Sequence, residues 1–252
     1  MDLGLKGKKV LVTGGSKGIG KGIAKAFLEE GAEVAITARS KEGLNKAEQE
    51  LTHVHTIQAD LRKEPERERT FQQAQEVLGG IDILINNVGG SSGGKIEETS
   101  MDSFEEAMAL NYFSAVHFSK LVLPGMKEKG HGSIVNISSI FGRESGGKAT
   151  YNNAKAAMIS FTKALADETI ADGVRVNSVA PGAILHPTGN WQKRLEENPE
   201  KINQFVKDEI PAGRFGTVEE IADVVVFLAS KRAAWVSGAS LNVDGGQSNM
   251  NM

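Results

Sequence analysis

Seven short runs of apolar, largely β-branched residues recur along this 252-residue chain, and longer stretches of helical pattern separate them. The runs fall at 9–13 (KVLVT), 34–38 (VAITA), 54–58 (VHTIQ), 81–85 (IDILI), 133–137 (SIVNI), 174–179 (VRVNSV) and 240–243 (SLNV). The helical stretches fall at 18–30, 41–51, 64–78, 101–128, 151–171 and 217–230. Strands this continuously apolar need cover on both faces, as in a parallel sheet layered between helices. The alternation therefore predicts a doubly wound α/β fold: one parallel seven-stranded sheet with helices on both faces. These elements use up the length, so residues 1–252 read as a single domain.

One segment breaks the rhythm. Residues 184–215 are far longer than the roughly 2–6 residues of an ordinary βα loop. They hold Trp191, a charged stretch at 192–201, and Pro187 and Pro211. A partly helical lid fits this better than a disordered insertion, because a closing lid has use for a large indole and a solvated loop has none.

Composition narrows the chemistry. The chain has 29 glycines against 6 prolines, a balance suited to tight strand-to-helix turns. It has no cysteine, which excludes disulfides, thiolate zinc sites, iron–sulfur clusters and cysteine nucleophiles, and no metal site is expected. The formal net charge of -3 gives no footprint for nucleic acid. The opening MDLGLKGKKVLVTGG lacks a signal-peptide core, and no apolar run approaches the ~18 residues of a membrane span. A cytoplasmic protein with no membrane partner is expected.

The first strand runs into Thr13-Gly14-Gly15-Ser16-Lys17-Gly18-Ile19-Gly20 and then a helix. Glycines let the backbone approach a phosphate, and the helix N-terminus offers free N–H groups to it. The strict G-x-G-x-x-G spacing is absent, so alone the string also suits a plain strand–helix turn. Residues 14–18 match the G-x-S-x-G elbow of hydrolases as well. That reading needs an acid and then a late histidine, and no histidine follows His186.

Tyr151 and Lys155 stand four apart at the start of a long helical pattern and so share a face. A nearby ammonium favours the phenolate, and a tuned phenol can exchange a proton with a carbonyl oxygen or an alcohol. An isolated Y-x-x-x-K is more often a surface tyrosine beside a solvated lysine. Its place after the fifth strand, in a chain that opens on a dinucleotide-type turn, favours the functional reading.

At this point the sequence resembles the short-chain dehydrogenase/reductase family over essentially its whole length, and with it a Rossmann-type sheet. The matching strings are Thr13-Gly14…Gly18-Ile19-Gly20, Asp60-Leu61, Asn86-Asn87-Val88-Gly89, Asn111, Asn136-Ile137-Ser138-Ser139, Tyr151-x-x-x-Lys155, Pro181-Gly182 and Val243-Asp244-Gly245-Gly246. The resemblance implies a catalytic tetrad of Asn111, Ser139, Tyr151 and Lys155. In it tyrosine is the acid/base, lysine holds the nicotinamide ribose and lowers the tyrosine pKa, serine polarises the carbonyl, and asparagine holds a water. Family members use the second serine of such a pair, which favours Ser139. The usual spacing to tyrosine instead matches Ser138, unless the stretch 143–150 is one residue short.

The resemblance also implies that Gly14, Ser16, Lys17, Gly18, Ile19, Gly20, Asp60, Leu61, Asn87, Gly89, Tyr151, Lys155, Pro181, Gly182 and Ile184 hold the cofactor. Asp60 would meet the adenine edge. No acid ends the second strand; Arg39 does, and Lys17 adds a cation inside the turn. An arginine there accommodates a 2′-phosphate, so NADP(H) is the expected cofactor.

Two departures bear on the substrate. His186 stands where the family often has a threonine, leaving a substrate-pocket role or an exposed loop residue open. Gly130 and Asp172 stand where carrier-protein reductases have docking arginines, which argues for a small free ketone or hydroxy substrate. A 3-oxoacyl-(acyl-carrier-protein) reductase is the alternative. A non-catalytic dinucleotide sensor is another, weakened because all four tetrad positions are filled. By family analogy the chain forms a homotetramer through the long helices and the last strand.

Overall fold

Val10 and Val12 pack with one apolar cluster and Leu11 with another; Ile83 and Ile85 divide from Leu84 in the same way. Because strand side chains alternate between faces, this pattern means that both faces are buried. The computed structural model describes residues 2–250 and shows how. Seven strands, β1 (Lys9–Val12), β2 (Glu33–Ala38), β3 (His55–Gln58), β4 (Ile83–Asn86), β5 (Gly132–Ile137), β6 (Val174–Pro181) and β7 (Ser240–Val243), form one sheet. Its order is β3-β2-β1-β4-β5-β6-β7, and every pairing is parallel.

Helices α1 (Gly18–Glu29), α2 (Lys41–Glu50) and α9 (Val218–Ala229) cover one face, α1 through buried Ile23, Ala24 and Phe27. Helices α3 (Glu64–Leu78), α5 (Ser114–Lys129) and α6 (Ala149–Thr169) cover the other through Phe71, Phe118, Met126 and Leu165. The expected α/β architecture is therefore found. The sheet order reverses between β1 and β4, and the crevice above that switch point is where such sheets bind ligands.

The helix expected over 101–128 is instead three pieces: α4 (Met101–Met108), a π-helical turn (Ala109–Phe113) and α5. The cause is Asn111, whose amide donates to Ala107 O at 2.9 Å and to Gly90 O at 3.0 Å. A side chain inserted into the helical ladder opens a π-bulge, a feature that periodicity does not report. Within 184–215 lie two helices, α7 (Asn190–Glu197) and α8 (Pro199–Glu209). Asn198 starts α8 by accepting from Lys201 N at 3.0 Å. Among the described residues no helix is long and apolar enough to cross a membrane.

Candidate active site

The turn after β1 is held from the side. Thr13 Oγ1 accepts from Asn87 N at 3.0 Å and Val88 N at 3.2 Å, and Asn87 Nδ2 donates to Thr13 O and Gly14 O, each at 3.0 Å. Gly20 is fixed by closeness: a Cβ there would stand 2.3 Å from Gly14 O. Gly18 has φ +54°, a conformation that glycine adopts without strain. Lys17, the N-cap of α1, provides no side-chain cap, so the N–H groups of Gly18, Ile19 and Gly20 remain available.

These groups line a cleft of about 2020 Å³ that runs across the carboxyl ends of the strands. Gly14, Ser16, Lys17, Gly18, Ile19, Gly20, Arg39, Leu61, Asn87 and Gly89 line it, as do Ser139, Tyr151, Lys155, Pro181, Gly182 and Ile184. The cradle fits a dinucleotide: open amides at a helix N-terminus, glycines where a side chain would intrude, and cations at one end. Arg39 and Lys17 are exposed, and neither side chain has an ion-pair or hydrogen-bond partner among the described residues. Asp60 is not brought into the cleft. Its carboxylate turns to Arg62, with Nη2 at 2.6 Å, and that guanidinium holds its pKa down at about 2.

Tyr151 and Lys155 lie on the first turns of α6, facing the end of β5. Lys155 is buried, donates to Ile137 O at 2.8 Å, and places Nζ 5.5 Å from the Tyr151 ring centre. Burial pulls its ammonium down to about 7. Burial pushes the Tyr151 phenol above its ordinary 10, while the Ser139 hydroxyl facing it opposes that shift. The two serines divide cleanly. Ser138 donates to Val179 O at 2.9 Å and accepts from Ser178 at 2.7 Å, so its hydroxyl is committed to the sheet. Ser139 accepts only from Phe141 N, at 3.2 Å, and is turned toward Tyr151.

Asn111 does not line the cleft surface. It is fully buried behind Gly89 and Gly90, accepting from Gly90 N at 2.9 Å. A Cβ on Gly89 would stand 2.6 Å from Asn111 Oδ1 and 3.2 Å from Lys155 Nζ, so the asparagine, the lysine and this turn are tightly packed.

Segment 184–215 supplies the outer wall. Trp191, Phe205 and His186 line the cleft, and Trp191 stacks on Phe205 with centres 4.6 Å apart. Leu110, Phe141 and Lys148 also line it; the sequence reading did not single them out, and no motif marks them. Outside the cleft, Glu64, Glu68 and His117 bring ligand atoms within 4.8 Å of one another. His117 Nδ1 accepts from Arg67 Nε at 3.0 Å, which leaves the neutral ring's proton on Nε2 and no lone pair for a metal.

Comparison with known proteins agrees with this arrangement. A family model described as enoyl-(acyl carrier protein) reductase matches residues 14–248. D-beta-hydroxybutyrate dehydrogenase of Cupriavidus necator is 37% identical over 96% of this chain and 98% of its own length. A 3-oxoacyl-(acyl-carrier-protein) reductase of Vibrio cholerae is 38% identical over 97% of this chain and 98% of its own. The crystal structure of L-sorbose reductase from Gluconobacter frateurii, complexed with NADPH and L-sorbose, superposes with a TM-score of 0.93. It is 32% identical, and the match covers 99% of this chain and 100% of that one. With the sheet order, the glycine turn and the Tyr151–Lys155 pair in place, the chain belongs to the short-chain dehydrogenase/reductase family, oxidoreductases of carbonyl and alcohol groups.

Proposed function

We propose that this protein is an NADP(H)-dependent oxidoreductase that interconverts a small free ketone and its secondary alcohol through Asn111, Ser139, Tyr151 and Lys155. The observation that carries the reading is that Tyr151, Ser139 and buried Lys155 line one cleft together with unpaired Arg39 and Lys17, Lys155 being fixed to Ile137 O. Gly18, Ile19 and Gly20 would hold the diphosphate, Arg39 and Lys17 the 2′-phosphate, and Lys155 the nicotinamide ribose. NADP(H), when bound, supplies or accepts the hydride. In reduction Tyr151 gives its proton to the carbonyl oxygen; in oxidation it takes one from the alcohol. Ser139 donates a hydrogen bond to that oxygen. Lys155 stabilises the phenolate left behind, and Asn111 fixes Gly89–Gly90 against the lysine.

The substrate class rests on charge. The last turn of α5 carries Lys127 and Lys129, but Lys127 is paired with Asp172 at 2.6 Å and Lys129 with Asp82 at 2.8 Å. An acidic carrier protein would find no free basic patch there. The carrier-protein reading is kept as the second one because the Vibrio cholerae relative bears that name.

A homotetramer is part of the same proposal. Trp235 is fully exposed, and Leu241 on edge strand β7 and Phe113 at the end of the π-turn are also exposed, leaving apolar surface that a second copy would cover. The experiment is a panel of ketones, sugars, polyols and 3-oxoacyl thioesters followed at the nicotinamide absorbance with NADPH and with NADH. Turnover of a small ketone with NADPH preferred is the expected result. Turnover confined to carrier-bound thioesters would move the assignment to the second reading.

A further inference from the structure

The glycine turn and the lid meet at one side chain. The His186 ring lies against Gly18, the first residue of α1: a Cβ built there would stand 2.8–3.2 Å from three of its atoms. Its other side is closed by Gly189, the N-cap of α7, where a Cβ would stand 2.8–3.1 Å from the ring. In this position the imidazole packs directly on the backbone of both glycines, and a side chain at either one would displace the ring. Gly189 N donates to His186 O at 2.9 Å, and Thr188 Oγ1 lies 3.3 Å from Nδ1. Among the described residues Nε2 has no hydrogen-bond partner.

The open amides of Gly18, Ile19 and Gly20 are the groups that attract an anion, and His186 touches the first of these residues. Building on the dinucleotide reading, we propose that His186 is a ligand of the dinucleotide's diphosphate, charged when that anion is in place, and that it fastens the lid to the bound nucleotide.

The surrounding charges support this. Burial first, and the field of Lys17 second, hold His186 below its ordinary 6.5 when no anion is present. Lys17 is the charge that acts on the ring. Of the charged residues that line the cleft from α1, α7, α8 and α9, Lys21 is paired with Glu50 and Arg194 lies over the Trp191 ring, and Lys25, Glu197, Lys201 and Glu219 are the others. A diphosphate between Lys17 and His186 reverses the balance and favours the imidazolium. Binding then takes up a proton, and affinity rises as pH falls.

The test is calorimetric titration of the full chain with ADP-ribose, which carries the diphosphate but neither a 2′-phosphate nor nicotinamide. It is run from pH 8 to pH 6 in two buffers of different ionisation enthalpy, on the wild type, His186→Gln and His186→Phe. Lys155 titrates in the same range in all three proteins, so the differences between them isolate His186. The wild type is expected to gain roughly tenfold in affinity toward pH 6 relative to either variant, with matching proton uptake. Equal pH slopes and uptake in wild type and His186→Gln would overturn the proposal while leaving the dinucleotide reading intact. So would His186→Phe binding as tightly as wild type at pH 6, since ring packing alone would then suffice. No binding of ADP-ribose or NADPH by the wild type would overturn both.

Discussion

Tyr151 and Trp191 line one cleft from opposite walls, and their supports differ. Tyr151 stands on the 21-residue α6, whose inner side is clamped to β6 and the β5 end, with Lys155 bonded to the β5 backbone. Trp191 stands on the 8-residue α7, which buries no residue fully. Its apolar support is a small cluster of Ala183, Val206 and Ile210 with Phe205 and Phe215. A proton-transfer group must be held to fractions of an ångström, which a packed sheet end provides. A wall that admits substrate and excludes water must open, and a lightly packed segment has the low local stability for that.

If this division holds, substitutions on the α6 wall cost chemistry and substitutions on α7 cost recognition. The largest effect is expected for Lys155→Met, with kcat/KM reduced on the order of 10²-fold or more. The same variant carries a stability signature. Lys155 titrates at about 7 in the folded chain against an ordinary 10.5, so the unfolded chain holds the proton more tightly. Folded stability therefore rises as pH climbs through that window and is lowest below it. Lys155→Met should melt above the wild type at pH 7, with the gap closing toward pH 10. A Met variant that melts lower at every pH would show that the lysine stabilises the fold.

Arg39→Ala and Lys17→Ala come next. Each should weaken NADPH by roughly ten- to a hundredfold, the worth of a charge-assisted hydrogen bond, and leave NADH little changed. Equilibrium fluorescence titration with both cofactors reads this, and equal losses would remove the basis for the NADP(H) assignment. The smallest effect belongs to segment 184–215. Trp191→Ala should change KM or substrate preference a few-fold at near-normal kcat, with the folded assembly intact by light scattering. Limited proteolysis within 184–215 should slow when NADPH is added. Unchanged cleavage together with an unaltered substrate profile would leave the segment as an ordinary insertion.

The sheet was legible because Val10, Leu11 and Val12 are all apolar, and a strand buried on both faces leaves that trace. The glycine turn and the Tyr151–Lys155 pair were legible because their chemistry needs fixed residue types at fixed spacings. Ser139 against Ser138 could be weighed from the string alone, but which hydroxyl the sheet consumes depends on Ser178 and Val179, some forty residues away. The break at Asn111 was hidden for a similar reason: its partner Gly90 comes from another loop. Asp60 was expected to meet the adenine edge; its carboxylate also accepts from Arg62, two residues on, a local pairing that the motif does not encode. The helical content of 184–215 was expected, whereas the stacking of Trp191 on Phe205 needed the fold of α7 against α8.

The most direct measurement compares single-turnover hydride transfer in the wild type and Tyr151→Phe, each preloaded with NADPH and mixed with the best carbonyl substrate of the panel. The Phe variant keeps the ring and loses only the transferable proton. Cofactor affinity should be nearly unchanged while transfer slows by ~10²–10⁴-fold. Transfer at the wild-type rate in Tyr151→Phe would contradict a mechanism in which Tyr151 exchanges the proton.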